Sequence, residues 1–254
     1  MNSYRYPNGR EIPANVVLAI RFTGKVGFLS GALWHDFFGI GTTRWKDQQL
    51  QFLSESQYFK RHRTATGKSY WVLGDRGIEL LKENKDTRVT PVSATHLRHD
   101  EVVARAMLTL LKENLLRAFH VEREMKTYGV KQFLLSNKDH DQKYPDAVFK
   151  MTAFGGTRIV AVEYERERKS SSRYKNILFQ YANLTQLSMV LFIVENSGIR
   201  KAIEGAMKHL GQTVLMDKLA FVDAEDWKKS PLTAPIHLKS GAVKLGEICT
   251  KVIV

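Results

Sequence analysis

Residues 144–181 decide the fold of this chain and read YPDAVFKMTAFGGTRIVAVEYERERKSSSRYKNILFQY. Two apolar runs of strand length flank a Gly-Gly pair, which is typical of a tight turn between antiparallel strands. Asp146 precedes the first run, whereas Glu163 and Glu165 end the second. Because alternate side chains of a strand share a face, the hairpin predicts that these three carboxylates meet at one end of a sheet.

The acidic cluster predicts a site for a divalent cation. Neighbouring carboxylates repel one another unless a cation lies between them, and hard oxygen ligands favour Mg2+ or Mn2+. A metal there would activate water and polarise a phosphate, which is the chemistry of phosphodiester cleavage. The spacing equally allows two exposed strand ends whose acids pair with Arg166, Arg168 and Lys169.

The charge of the chain points to a polyanionic partner. A net charge of +13 and a pI near 9.7 favour nucleic acid or an acidic membrane surface. The single cysteine, Cys249, excludes an intrachain disulfide framework and fits a reducing cytoplasm. No apolar stretch approaches the roughly 20 residues of a membrane span, and the N-terminus lacks the apolar core of a signal peptide. We therefore expect a cytoplasmic protein with no membrane insertion.

The first 86 residues have the element order of a winged helix-turn-helix, the first of two predicted domains. The predicted elements are helices at 14–21, 28–38, from Thr42 or Thr43 to about 56 and at 76–83, with strands at 58–63 and 69–73. A polar segment, 85–94, contains Pro91 and is typical of a linker. The second domain is predicted to cover residues 95–254.

Two groups of side chains in the first domain are candidates for DNA binding. The third helix leaves four polar residues facing away from its apolar positions, and Arg and Gln suit base edges in the major groove. The wing carries cations suited to phosphates. The candidates are Arg44, Lys46, Gln48 and Gln51 on the helix and Lys60, Arg61, Arg63 and Lys68 on the wing. A solvated polar helix face and a basic edge hairpin are the alternatives.

The second domain is predicted to be a mixed sheet flanked by helices, which gives the whole chain an α/β (α+β) class. A buried strand is expected at 189–194, where the sequence is MVLFIV. Helices at 99–112, 172–187 and 198–210 and strands at 118–121 and 219–222 complete the order α-β-β-β-α-β-α-β.

Three segments of the second domain carry a family resemblance. They are HDEVVARAMLTLL at 99–111, YPDAVF at 144–149 and VEYERERKSSSRYKNILFQY at 162–181. Their order resembles the restriction-endonuclease-like PD-(D/E)xK fold. With a winged helix in front, the chain resembles the replication-relaxation family and the MobC-type relaxases of mobilizable plasmids. The resemblance implies nicking of double-stranded DNA at a transfer origin, together with relaxosome or coupling proteins.

The resemblance also implies a role for individual residues. Asp146 and Glu163 would hold the metal, while Glu165 stands where many such nucleases have a lysine. Lys175, on the following helix, could replace that charge; if it does not, the domain is a nuclease relic that only binds DNA. Glu101 would add a further acid from the preceding helix.

Alternatives to this interpretation remain open at the level of sequence. Arg173 and Lys175 could reach one phosphate region together, and Tyr164, Tyr174 and Tyr181 are close enough in sequence to the acids for a tyrosyl intermediate. The alternative functions are a non-catalytic DNA-binding regulator with a degenerate nuclease domain and a defence-type endonuclease that cuts both strands.

Overall fold

The structure is a computed structural model that describes residues 5–6, 9–138, 141–210 and 213–251. The chain divides into two compact units, Met1–Glu101 and Val102–Val254, here called the first and second units. The predicted linker belongs to the first unit. Val89 and Val92 are buried, and their backbone N–H groups donate to the carbonyls of Gly24 and Gly27 at 2.8 and 3.2 Å.

The first unit combines helices with a small antiparallel sheet. Its elements are α1 (Ala14–Val26), β1 (Leu29–Ser30), α2 (Gly31–Leu33) with a π-helical turn at Trp34–Phe38, α3 (Thr43–Glu55), β2 (Phe59–Arg63), β3 (Ser69–Leu73) and α4 (Asp75–Glu83). The strand order is β1-β3-β2. This arrangement places the basic β2–β3 hairpin next to α3, because α3 and β2 are in contact.

The predicted helix at 28–38 is wrong at its start. Leu29 and Ser30 form β1 and pair with Trp71 and Tyr70 of β3, so the helix begins only at Gly31. The predicted start of α3 is confirmed, since the Thr42 hydroxyl accepts a hydrogen bond from the backbone N–H of Trp45 at 3.3 Å.

The second unit is a mixed α/β layer structure. Its elements are α5 (Leu97–Lys112), β4 (Leu116–Val121), α6 (Glu122–Tyr128), a 3-10 turn (Lys131–Phe133), β5 (Ser136–Lys138), β6 (Asp141–Lys143), β7 (Ala147–Ala153), β8 (Gly156–Glu165), α7 (Ser171–Ala182), β9 (Met189–Val194), α8 (Ser197–Lys208), α9 (Thr213–Met216), β10 (Leu219–Asp223), α10 (Ala224–Lys229), β11 (Ile236–Leu238), β12 (Gly241–Val243) and α11 (Leu245–Ile248). Although α5 begins in the first unit, most of it lies in the second.

One mixed sheet organises the second unit. Its order is β12-β11-β10-β9-β8-β7-β4, with β8, β9 and β10 parallel to one another and β7 antiparallel to β8. The main apolar cluster joins α7 and α8 to β8 and β9, with Tyr174, Ile177, Leu178 and Tyr181 buried on α7. A mixed sheet with helices was predicted from the sequence, and this part of the fold class is confirmed.

The β7–β8 turn is displaced by one residue from its predicted position. Ala153 pairs with Gly156, so the two turn residues are Phe154 and Gly155, both at positive φ (50° and 70°). Positive φ at both central positions is the geometry of a type I′ turn, which matches the natural twist of antiparallel strands. The turn fixes the register of the whole hairpin.

Candidate functional site

The hairpin register brings the predicted acids together. Ala147 pairs with Val162, so Asp146, just before β7, lies opposite Glu163 on β8. Asp146 is held at both ends, because its carbonyl accepts from the Glu122 N–H at 2.9 Å and its Oδ2 accepts from the Tyr164 N–H at 2.7 Å. Asp146 also acts electrostatically on both glutamates of β8.

Glu163 is one of two buried acids among the three carboxylates that the hairpin brings together. It is 3% exposed, and the Tyr181 hydroxyl donates to its Oε1 at 2.5 Å. Burial above all, and then the neighbouring charge of Asp146, raises the pKa of Glu163 to about 8, although Lys143 and the hydrogen bond from Tyr181 oppose the shift. A carboxyl with this pKa is largely protonated near neutral pH, and a cation bound there would have to displace that proton.

Glu165 has a lysine partner, which is Lys169 of the alternative interpretation and not Lys175. Glu165 is 2% exposed, and the Nζ of Lys169, four residues further on, donates to its Oε1. Burial raises the pKa of Glu165, and the charge of Lys169 opposes that shift. Lys175 is half-buried on α7 and makes no hydrogen bond or ion pair with these acids within the described residues.

The exposed strand ends of the alternative interpretation are not observed. Glu163 and Glu165 are both buried, although the expected pairing with Lys169 does occur. Arg166 instead pairs with the exposed Glu167 at 2.9 Å. The acids therefore form an internal cluster with its own cations.

The carboxylates of the cluster are suitable ligands for a hard divalent cation, but they are too few to complete its coordination. Asp146 and Glu163 supply carboxylate oxygens on adjacent strands, which is what Mg2+ or Mn2+ requires. Across the described part of the chain, no group of three or more His, Cys, Asp or Glu side chains is arranged to hold a metal ion. A cation at this position would need water or substrate oxygens to complete its coordination.

The three tyrosines near the acids are poor candidates for a nucleophile. Tyr164, Tyr174 and Tyr181 are all at most 3% exposed. Their hydroxyls are already engaged, with Glu195, with the Lys169 N–H and with Glu163 respectively. Burial also raises the pKa of Tyr174 and Tyr181, which disfavours a phenolate. This environment disfavours a tyrosine as nucleophile.

Two further residues predicted for the second domain have local partners. Glu101 falls in the first unit, where its Oε1 accepts from the Ser30 hydroxyl at 2.5 Å. Arg173 is exposed in the first turn of α7, and its backbone N–H donates to the Ser170 hydroxyl that caps the helix. The roles predicted for these two side chains stay predictions.

The polar candidates of the first unit are mostly exposed, as a nucleic-acid surface requires. The exposed ones are Arg44, Gln48 and Gln51 on α3 and Lys60, Arg61, Arg63 and Lys68 on the β2–β3 hairpin. The Arg61 guanidinium is oriented by Ser69, whose Oγ accepts from Nε and Nη2 at 3.0 and 2.7 Å, and by Trp71, whose ring centre is 5.8 Å away.

Lys46 occupies a different environment from its neighbours on α3. Its Nζ donates to the His35 carbonyl at 2.5 Å, and its own carbonyl accepts from the Trp34 Nε1 at 2.8 Å. Lys46 therefore ties α3 to the π-helical turn. Sequence reasoning missed two exposed aromatic residues on the same helix, Trp45 (54% exposed) and Phe52 (51%), whose periodicity could have flagged them.

Comparison with known proteins does not assign the chain to a family. No family model, no curated protein and no solved structure matches the chain. In the described residues, no helix is long and apolar enough to cross a membrane. The function of the chain is therefore inferred from the residues of its candidate site.

Proposed function

We propose that this chain is a relaxase-like plasmid mobilization protein, which binds double-stranded DNA at a transfer origin through its first unit. The acidic cluster of the second unit then nicks one strand by metal-dependent hydrolysis. The observation that carries the proposal is the pairing of Asp146 with Glu163 across the β7–β8 register, next to Glu165 and Lys169. This is the residue set that the resemblance to PD-(D/E)xK nucleases implies, with one substitution.

DNA binding is supported by the order of elements in the first unit. Helix, short strand, helix, helix and a two-stranded hairpin is the order of a winged helix-turn-helix, with α3 as the recognition helix and β2–β3 as the wing. Arg44 and Gln48 would face base edges, and Lys60 and Lys68 would contact phosphates. The net charge of +13 supports a polyanionic partner.

Cleavage is supported by the chemistry that the second unit can supply. A divalent cation bound by Asp146 and Glu163 would lower the pKa of a water molecule and neutralise charge on a phosphate. Glu163 must lose its proton to serve as a ligand, and Tyr181 holds the carboxylate in place through its hydrogen bond. Lys169 is 23% exposed in its side chain, so its Nζ can exchange Glu165 for a phosphate oxygen.

A nicking assay tests the proposal. Supercoiled plasmid carrying the cognate transfer origin should be converted to the open circular form in the presence of Mg2+ or Mn2+, and not with EDTA. Asp146→Asn should abolish nicking while leaving DNA affinity largely intact. Glu167→Gln, which removes an exposed carboxylate two residues beyond Glu165, is the matched control and should nick normally. Equal nicking by the wild type and Asp146→Asn would refute the assignment.

The non-catalytic alternative is supported by a separate observation. Glu163 and Glu165 are already compensated by Tyr181 and Lys169, and three-ligand metal groups are absent from the described residues. In that case the second unit is a nuclease relic and the protein regulates by DNA binding alone. Specific binding of the origin with no nicking under any divalent metal would establish this second function.

A further inference from the structure

We propose that the second unit contains a nucleotide-binding cavity separate from the acidic cluster. The cavity has a volume of about 300 Å3 and lies between α8, α9, β10 and β11. None of the acids or lysines of the proposed cleavage site lines it. Its size is at the lower end of the range for small-molecule sites, which suits a ligand no larger than a mononucleotide.

Arg200 gives the cavity a planar, oriented cation. Its guanidinium carbon lies 5.3 Å from the centre of the Phe221 ring, and its Nε donates to Glu204 Oε1 at 2.8 Å. Phe221 is itself fixed, because it is buried and its ring stacks on Phe192 at 5.7 Å. Guanidinium planes stack well on nucleobases, and a guanidinium already positioned by an aromatic ring and a carboxylate loses less entropy on binding.

The charges around the cavity favour an anionic group on the ligand. Its cationic lining residues are Arg200, Lys208 and Lys239, His237 adds an imidazole, and Glu204 is the acid among the described lining residues. Glu204 is already paired with Arg200, while the Lys239 pair with Asp217 is largely exposed and therefore weak. Within the described chain Lys208 and His237 have no ion-pair partner, so both can meet a phosphate.

The rest of the lining is apolar and suits the flat body of the ligand. Met207 and Leu219 are buried, and Met216 is half-buried. An apolar floor, a stacked arginine and a cationic rim together select an aromatic base joined to a phosphate. Free phosphate lacks the stacking partner, and a nucleoside lacks the anion. The ligand is therefore a nucleoside monophosphate group, either free or part of a DNA strand.

Binding measurements on the full chain test this assignment. Isothermal titration would compare adenosine monophosphate, adenosine, inorganic phosphate and a short single-stranded oligonucleotide, each with EDTA present to exclude the cleavage site. We expect adenosine monophosphate to bind more tightly than adenosine or phosphate. An oligonucleotide that binds still more tightly, with the same dependence on Arg200, identifies a strand as the source; otherwise the ligand is the free nucleotide.

The variants separate stacking from general charge. Arg200→Ala should weaken binding roughly tenfold, because it removes both the plane on which the base stacks and a positive charge beside the phosphate. Arg200→Lys keeps the positive charge but lacks the planar guanidinium, and should therefore also bind more weakly than the wild type. Lys201→Ala removes an exposed cation of the same helix that does not line the cavity, and should bind normally. If Arg200→Ala alters the unfolding midpoint, Arg200→Lys and Lys208→Ala give the decisive comparison.

The proposal fails on any of three results. Phosphate that binds as tightly as adenosine monophosphate would show a purely electrostatic contact. Equal losses in Lys201→Ala and Arg200→Lys would place binding outside the cavity, and no saturable binding at millimolar concentrations would remove the site. Because DNA nicking is not used as a readout, failure here leaves the cleavage proposal intact, and the reverse also holds.

Discussion

Glu163→Gln should change how the stability of the protein depends on pH. The folded protein holds a proton on Glu163 up to a pKa of about 8, whereas the unfolded chain releases it near 4.5. Between these values the folded state binds more protons than the unfolded state, so the free energy of unfolding falls as pH rises. The stabilisation is fully present below about pH 4.5 and is lost as pH rises towards 8. Glutamine keeps the acceptor for Tyr181 but cannot ionise.

The size of the effect follows from the same two values. The difference between 4.5 and about 8, at 1.36 kcal/mol per pH unit, corresponds to roughly 5 kcal/mol. Glu165 acts in the same direction, because burial raises its pKa too. The wild-type profile therefore contains both groups, and the difference between Glu163→Gln and the wild type reports Glu163 together with its effect on the neighbouring Asp146 and Glu165.

Urea unfolding at pH 5, 6.5 and 8, with EDTA and constant ionic strength, measures this difference. We expect the two proteins to have similar free energies of unfolding at pH 5. At pH 8 the free energy of unfolding of Glu163→Gln should be higher by roughly 4 to 5 kcal/mol. Glu167→Gln should follow the wild type, because Glu167 is exposed. Parallel pH profiles for Glu163→Gln and the wild type would refute a buried, proton-holding Glu163.

Three further predictions concern individual lysines and the proposed recognition helix, α3. Lys169→Ala should slow nicking more than Lys175→Ala, as measured by plasmid relaxation at saturating metal. A larger effect of Lys175→Ala would show that Lys175 supplies the positive charge, as the sequence suggested. Gln48→Ala should relax sequence preference at a cost of roughly 1–3 kcal/mol, whereas Lys60→Ala should weaken all sequences and reduce the salt dependence of binding by about one charge, both measured by fluorescence anisotropy. Lys46→Ala should lower the unfolding midpoint with little effect on DNA affinity, because its Nζ bonds to the His35 carbonyl.

The hairpin was predictable because its signals are local. Two apolar runs of strand length, a glycine turn and the spacing of Asp146 and Glu163 are local features, which the sequence shows directly. The turn was misplaced by one residue because Phe154 adopts positive φ, a conformation that sequence rules assign first to glycine.

The remaining features depend on contacts between distant parts of the chain. β1 forms because Leu29 pairs with Trp71, a partner 42 positions away that no local pattern near Leu29 shows. The choice of Lys169 over Lys175 depends on which side chain reaches the buried Glu165, and helical spacing does not specify that reach. The cavity beside Arg200 brings together α8 and β11, whose residues show no joint motif.

The two-residue turn at Phe154 and Gly155 determines whether Asp146 and Glu163 lie opposite each other. In a sheet, a slip of one position turns every side chain of a strand to the opposite face. A misaligned β7–β8 hairpin would therefore carry Asp146 away from Glu163 while all the functional residues stayed unchanged. A register slip set at that turn, about 24 Å along the strand from the acids, would separate the two carboxylates that the proposed metal site needs.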